Sequence, residues 1–186
     1  MPTSLPGVRC YTDASTSPDL ASNLSRDAGI GIFIVNNQVH PVQTIYIKAA
    51  MKETSSVLMA EAAALALAAT VAKHLHLRQV SFLSDNQPLV NFLNNANPDE
   101  PPDWRIKLCT QTYINHSNEA AHRVYRIKRD QNCTADTLAR QSFAELHSSS
   151  SFTSSCSYAS HLQCSLREAL LPVTLHSVRL LTASCC

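Results

Sequence analysis

Ala28-Gly29-Ile30-Gly31-Ile32-Phe33-Ile34-Val35-Asn36-Asn37-Gln38 is the stretch on which the fold turns. Residues 28–35 form an apolar, β-branched run that reads as a strand. Asn36-Asn37-Gln38 behind it is a hairpin-turn candidate. Upstream, Val8-Arg9-Cys10-Tyr11-Thr12-Asp13 is also strand-like, and it is separated from residue 28 by a polar stretch that reads as a loop. Downstream, residues 39–47 predict a third strand, with Pro41 marking an edge or an irregular start. Three strands joined by hairpin-scale connections predict an antiparallel meander.

Beyond the meander the period changes. Residues 56–76 are dominated by alanine and leucine, strong helix formers, with Ser55 or Ser56 placed to cap. Residues 79–84 are a short apolar strand ending at Asp85. A helix starts near Pro88, which suits a first-turn proline. A proline-rich loop covers residues 94–102, and Asp103 is placed to cap a helix from 104 to about 115. Residues 122–128 alternate as a strand, and Asn132 is placed to cap a last helix from 134 to about 146. The predicted order is β-β-β-α-β-α-α-β-α, spanning residues 1–146 as one α/β (α+β) domain. Residues 147–186 hold eleven serines and three charges, Arg167, Glu168 and Arg179. That composition predicts a weakly ordered tail.

Composition narrows the function classes. The 186 residues carry a net charge of +1, so a polyanion would have to be met by local patches. Seven cysteines are scattered with no paired spacing, which predicts reduced thiols and no zinc site. No charged-then-apolar leader opens the chain. No apolar run approaches the roughly 20 residues of a membrane span. The expected setting is intracellular, nuclear or cytoplasmic, with no membrane partner and a monomeric chain. A free-standing domain and a piece of a longer polyprotein both remain open.

Four carboxylates stand in or beside apolar surroundings, where an unpartnered charge is costly. Asp13 follows a strand, where a turn-starting aspartate is the ordinary explanation. Glu61 shares a helical stripe with Leu58, Leu65, Ala68, Ala72 and Leu75, a position that packing alone would fill with an apolar residue. Asp85 ends a strand ahead of a helix, where sheet proteins gather chemistry, although a helix cap would explain it too. Asp136 lies in the first turn of the last helix, favourable to the helix dipole. Each is explicable alone. In this order on this frame they suggest one divalent-metal site.

The chain resembles the type 1 ribonuclease H family, and more narrowly the RNase H-like domains attached to plant non-LTR reverse transcriptases. The matching stretches are Tyr11-Thr12-Asp13-Ala14-Ser15, Ala28 to Ile32, Ala60 to Leu65, Leu83-Ser84-Asp85-Asn86, and Arg129 to Arg140. The resemblance implies a five-stranded mixed sheet, its first three strands antiparallel, flanked by helices. It places the family's acidic quartet on Asp13, Glu61, Asp85 and Asp136. It implies two magnesium ions, replaceable by manganese, and cleavage of the RNA strand of an RNA–DNA hybrid. Asp13 would touch both ions, Glu61 and Asp85 one side, Asp136 the other. Ser15 and Asn86 would lie near the nucleic acid.

Two departures matter. The turn Ile127-Lys128-Arg129-Asp130-Gln131-Asn132 is short and lacks the histidine of bacterial-type members, and residues 86–104 contain no Lys or Arg. Positive charge gathers instead at Arg123, Arg126, Lys128 and Arg129. With Asn132, these last three make a rim that could contact phosphates beside Asp136, or simply a solvated edge. Trp104 and Tyr113 could stack on bases or pack in the core. The expected activity is metal-dependent hybrid hydrolysis. The alternative is a catalytically weak or inactive, retroelement-derived nucleic-acid-binding domain.

Overall fold

The computed structural model describes residue 5 and residues 7–17, 26–95, 100–117, 124–146, 151–157 and 166–186. The meander forms first. β1 (Val8–Thr16), β2 (Arg26–Asn36) and β3 (Gln43–Thr54) pair antiparallel, with Asp13 opposite Gly31 and Gly31 opposite Lys48. β3 starts at Gln43, four residues later than the sequence suggests, because Pro41 cannot donate to the ladder. Asn36 closes β2 by accepting a 3.0 Å bond from the Gln38 amide through its side chain.

α1 (Val57–His74) is capped by Ser56, whose hydroxyl accepts from the Met59 amide at 3.1 Å. Residues 60–72 of this helix are buried without interruption, so the expected stripe is in fact a helix enclosed on all sides. α1 is long and apolar enough to cross a bilayer by length and composition, yet its sides are packed within the protein. β4 (Val80–Ser84) then pairs parallel to β1. α2 (Gln87–Asn95), a 3-10 turn at Trp104–Ile106 capped by Asp103, and α3 (Lys107–His116) lead to β5 (Val124–Arg126), parallel to β4. β5 is shorter than the predicted strand, whose first two residues lie outside the described set. α4 (Cys133–Ala144) crosses the other face of the sheet over β1, β2 and β3.

The glycines of β2 explain how α4 gets so close. A Cβ on Gly29 or Gly31 would collide with the backbone carbonyls of Ala139 or Ala135. Helix backbone therefore rests directly on strand backbone, and one of these contacts falls on Gly31, the residue paired with Asp13. Gly31→Ala has no flexible side chain to push aside and must displace α4. The expected loss is about 2–3 kcal/mol by urea denaturation, within the range for core overpacking.

The strand count is a correction. The sheet has seven strands in the order β5-β4-β1-β2-β3-β7-β6, where five are expected from the sequence. The two additional strands come from the serine-rich stretch read as a tail. β6 (Thr153–Cys156) runs parallel to β7 (Val178–Cys185), and β7 pairs antiparallel with β3. A short helix, α5 (Leu166–Leu170), buries Leu166 and Leu170 in the main core. Leu181, Ala183 and Cys185 alternate inward along β7. This period-2 pattern drives the strand, and average composition conceals it.

Candidate metal centre

β1 and β4 set the first two carboxylates level with one another. Tyr11 pairs with Leu83, so Asp13 and Asp85 both stand two residues beyond the last paired position. Neighbouring strands lie about 4.8 Å apart, so the two side chains meet at the same edge of the sheet. Glu61, in the second turn of α1, arrives from the covering helix. Asp13, Glu61 and Asp85 each offer an oxygen, and these oxygens all lie within 4.8 Å of one another.

Burial makes the cluster costly without a cation. Asp13 is 6% exposed and Glu61 5%. Burial, then the charges of Asp85 and Asp136, push the Asp13 carboxyl up to about 7. Burial, then the charges of Asp13 and Asp85, hold Glu61 well above the usual carboxylate range. The Ala14 amide donates to both and offsets only part of this. Glu61 Oε2 is buried with no hydrogen-bond partner among the described residues. An all-oxygen donor set with an orphaned buried oxygen fits a hard divalent cation.

Asp136 sits beside Asp13, close enough for their side chains to share a hydrogen bond, but it is not part of the three-residue cluster. Two arginines hold it. Arg140, one turn on, contacts it at 2.9 Å and 3.2 Å, and Arg129 approaches to 3.7 Å. Arg140 is absent from the sequence-based site, although its i,i+4 spacing from Asp136 is the signal that marks such a pair. An exposed pair of this kind contributes about 0.3–0.5 kcal/mol to stability. Arg140→Ala should therefore leave the melting temperature almost unchanged while freeing Asp136. The expected readout is tighter Mn²⁺ binding by isothermal titration calorimetry; unchanged affinity would mean that Arg140 does not compete for Asp136.

Asn132 differs from expectation. Its side chain does not cap α4; it is fully buried and donates through Nδ2 to the Thr12 carbonyl at 2.9 Å. It thus ties the start of α4 to the strand residue preceding Asp13, and its burial removes it from any nucleic-acid surface. Asn86 has its side-chain oxygen engaged as well, accepting from the Leu89 amide at 3.0 Å to start α2. Ser15 is half-buried, two residues past Asp13 in β1 and opposite Gly29. Arg126, Lys128 and Arg129 are exposed around the end of β5 and the following turn. Arg123 lies outside the described residues. The two aromatics separate: Tyr113 is buried edge-on against Phe82 at 5.2 Å, whereas Trp104 is 81% exposed.

A mixed sheet whose central antiparallel meander is flanked by parallel β4 and β5, with helices on both faces and carboxylates at one edge, is a ribonuclease H-like fold. Residues 19–142 match the reverse transcriptase-like family, and the chain belongs to it. The matched span contains Glu61, Asp85 and Asp136 and begins after Asp13. Among solved structures, the N-terminal RNase H domain of a Mycobacterium tuberculosis protein is similar at 16% identity and a TM-score of 0.60, covering 74% of this chain and 93% of that one. LC11-RNase H1 in complex with an RNA/DNA hybrid matches at 21% identity and 0.56, covering 76% and 99%. The prototype foamy virus protease-reverse transcriptase matches at 20% identity and 0.54, covering 73% of this chain and 20% of that one. No curated protein matches.

Proposed function

We propose that this protein is a metal-dependent endonuclease that hydrolyses the RNA strand of RNA–DNA hybrids. The observation that carries the proposal is the Asp13–Glu61–Asp85 cluster, two of its carboxylates buried and Asp85 half-buried, on a ribonuclease H-like frame. Asp13, Glu61 and Asp85 would hold one Mg²⁺ or Mn²⁺, and Asp13 with Asp136 a second. Divalent ions in such a setting activate water and stabilise the leaving oxygen of a phosphodiester. Asn132 and the Gly29–Gly31 seat of α4 hold Asp13 and Asp136 in a fixed relation. Arg126, Lys128 and Arg129 would meet backbone phosphates, which positions the duplex without reading its sequence. The solved hybrid complex of LC11-RNase H1 supports the substrate class.

The test is cleavage of labelled RNA–DNA hybrid, duplex RNA and duplex DNA with Mg²⁺ or Mn²⁺. Wild-type protein should cut the hybrid alone, and chelation should stop it. If purified protein binds hybrid but never cuts it, the second reading holds: a nucleic-acid-binding domain with little or no catalysis. The arginine grip on Asp136 favours that alternative, because it withholds the fourth carboxylate.

A further inference from the structure

At the end of the protein away from the carboxylates lies a cavity of about 340 Å³. It opens where α1 and α3 finish and β4 begins. Lys73 in the last turn of α1 is 12 residues beyond Glu61, which sets the cavity about 18 Å along the helix from the candidate metal centre. Lys73, His76, Arg78 and His116 line it, coming from α1, the α1–β4 turn and α3, and among the described residues none of the lining is acidic. Leu77, Val80 and Phe82 give it an apolar wall.

Helix dipoles explain part of this charge. Lys73 and His74 complement the carbonyls at the end of α1, and His116 those of α3. Arg78 and His76 lie beyond both helices and exceed that need. The turn that carries them is also strained: His76 and Gln79 take left-handed conformations at φ 52° and 51°. Non-glycine residues held in that region cost energy and cluster at binding sites. The local field is already felt by His116, whose pKa is lowered by burial and then by the charges of Lys73 and His74. His116 is oriented by a 2.9 Å contact between its Nδ1 and the Thr70 hydroxyl.

We propose that this cavity binds a phosphomonoester, with Lys73, His76 and Arg78 around the phosphate and the Leu77–Phe82 wall against the group it carries. The volume suits a small ligand, and the cationic rim with an apolar wall suits a nucleoside monophosphate or the phosphorylated end of a strand. The site stands independently of the carboxylate reading.

The test is an NMR titration of backbone amides in full-length protein with inorganic phosphate, AMP, and 5′-phosphorylated or 5′-hydroxyl oligonucleotides. Phosphate and AMP should shift amides of residues 73–80 and 115–117. Lys73→Ala/Arg78→Ala should weaken that binding at least tenfold while hybrid binding and cleavage stay unchanged. AMP tighter than phosphate, with both oligonucleotides equal, identifies a free nucleotide; preference for the 5′-phosphorylated oligonucleotide identifies a strand end. Asp13→Asn should leave these shifts intact, so loss of nuclease activity and loss of this site are separable. Absence of shifts at these amides, equal affinity in the double variant, or shifts confined to residues 126–129 would overturn the proposal. Both substituted side chains are exposed, and Arg78→Gln alone, with a matched thermal melt, covers any folding defect in the double variant.

Discussion

Asp13→Asn should abolish hybrid cleavage and, in metal-free buffer near neutral pH, make the protein more stable. The two effects have one cause. Asp13 is buried and lies beside Glu61, Asp85 and Asp136, so in the metal-free protein burial first, and then like-charge repulsion, oppose its charge. An amide there removes a charge and can donate to a neighbour. Loss of a metal ligand should lower the cleavage rate by at least about a hundredfold. Relief of buried repulsion should raise stability by about 1–3 kcal/mol, and each kcal/mol is worth roughly 2–4 °C for a chain of this size.

The pH dependence follows with its sign reversed from an ordinary carboxylate. The folded-state pKa of Asp13 is raised to about 7, above its unfolded value. A raised carboxyl pKa means the folded state holds its proton more tightly than the unfolded chain does. Stability from this group is therefore fully present below the unfolded pKa, is lost as pH climbs through about 7, and stays lost above it. Glu61 shifts in the same direction. Metal-free wild-type protein should melt at higher temperature at pH 5 than at pH 8, and saturating Mn²⁺ should close that gap. The gain at a hundredfold excess over Kd is about 2.7 kcal/mol. A melt indifferent to both pH and Mn²⁺ would remove the physical basis for the metal centre.

The second large effect concerns the C-terminal segment. Deleting residues 147–186 should destroy cooperative folding or lower stability by more than about 5 kcal/mol. Leu166, Leu170 and Val173 lie in the main core, and Leu181 packs with Ala50, Leu146 and Phe143. Full burial of each such side chain contributes about 1.5–3 kcal/mol. Leu170→Ala and Leu181→Ala, each expected to cost about 2–5 kcal/mol, separate packing from chain-length effects. Equal urea midpoints for full-length and shortened protein would show that residues 1–146 are self-sufficient.

That second prediction is the one the sequence argues against. Where the period was strict, the fold was legible: the 28–35 run gave β2, and the alanine-leucine stretch gave α1. Val178-Arg179-Leu180-Leu181-Thr182-Ala183-Ser184-Cys185 also alternates, but its small and hydroxylic residues, behind a serine-rich stretch, average to the composition of a coil. Lys52 and Glu53 hid the full length of β3 in the same way. The carboxylates were legible as positions, because Asp85 follows a strand and Glu61 interrupts an apolar helix, although β1 runs three residues past Asp13, which the sequence placed at its end. Their states were not. Whether Asn132 caps its own helix or reaches Thr12 is decided by a partner 120 residues away. Asp136 is the opposite case: its arginine neighbours, Arg140 at i+4 and Arg129 seven residues before it, are local in sequence.

The two added strands also change what the sheet presents to other molecules. Without them the sheet would end on β3, twelve residues long and largely apolar, with a row of open backbone donors and acceptors. Such an edge invites pairing with another copy of the chain. With them, the outermost described strand on that side is Thr153-Ser154-Ser155-Cys156, only four residues and mostly hydroxylic. The segment that looked expendable thus doubles as a guard against edge-to-edge association, and protein lacking it should be more prone to aggregate even where the remaining fold survives.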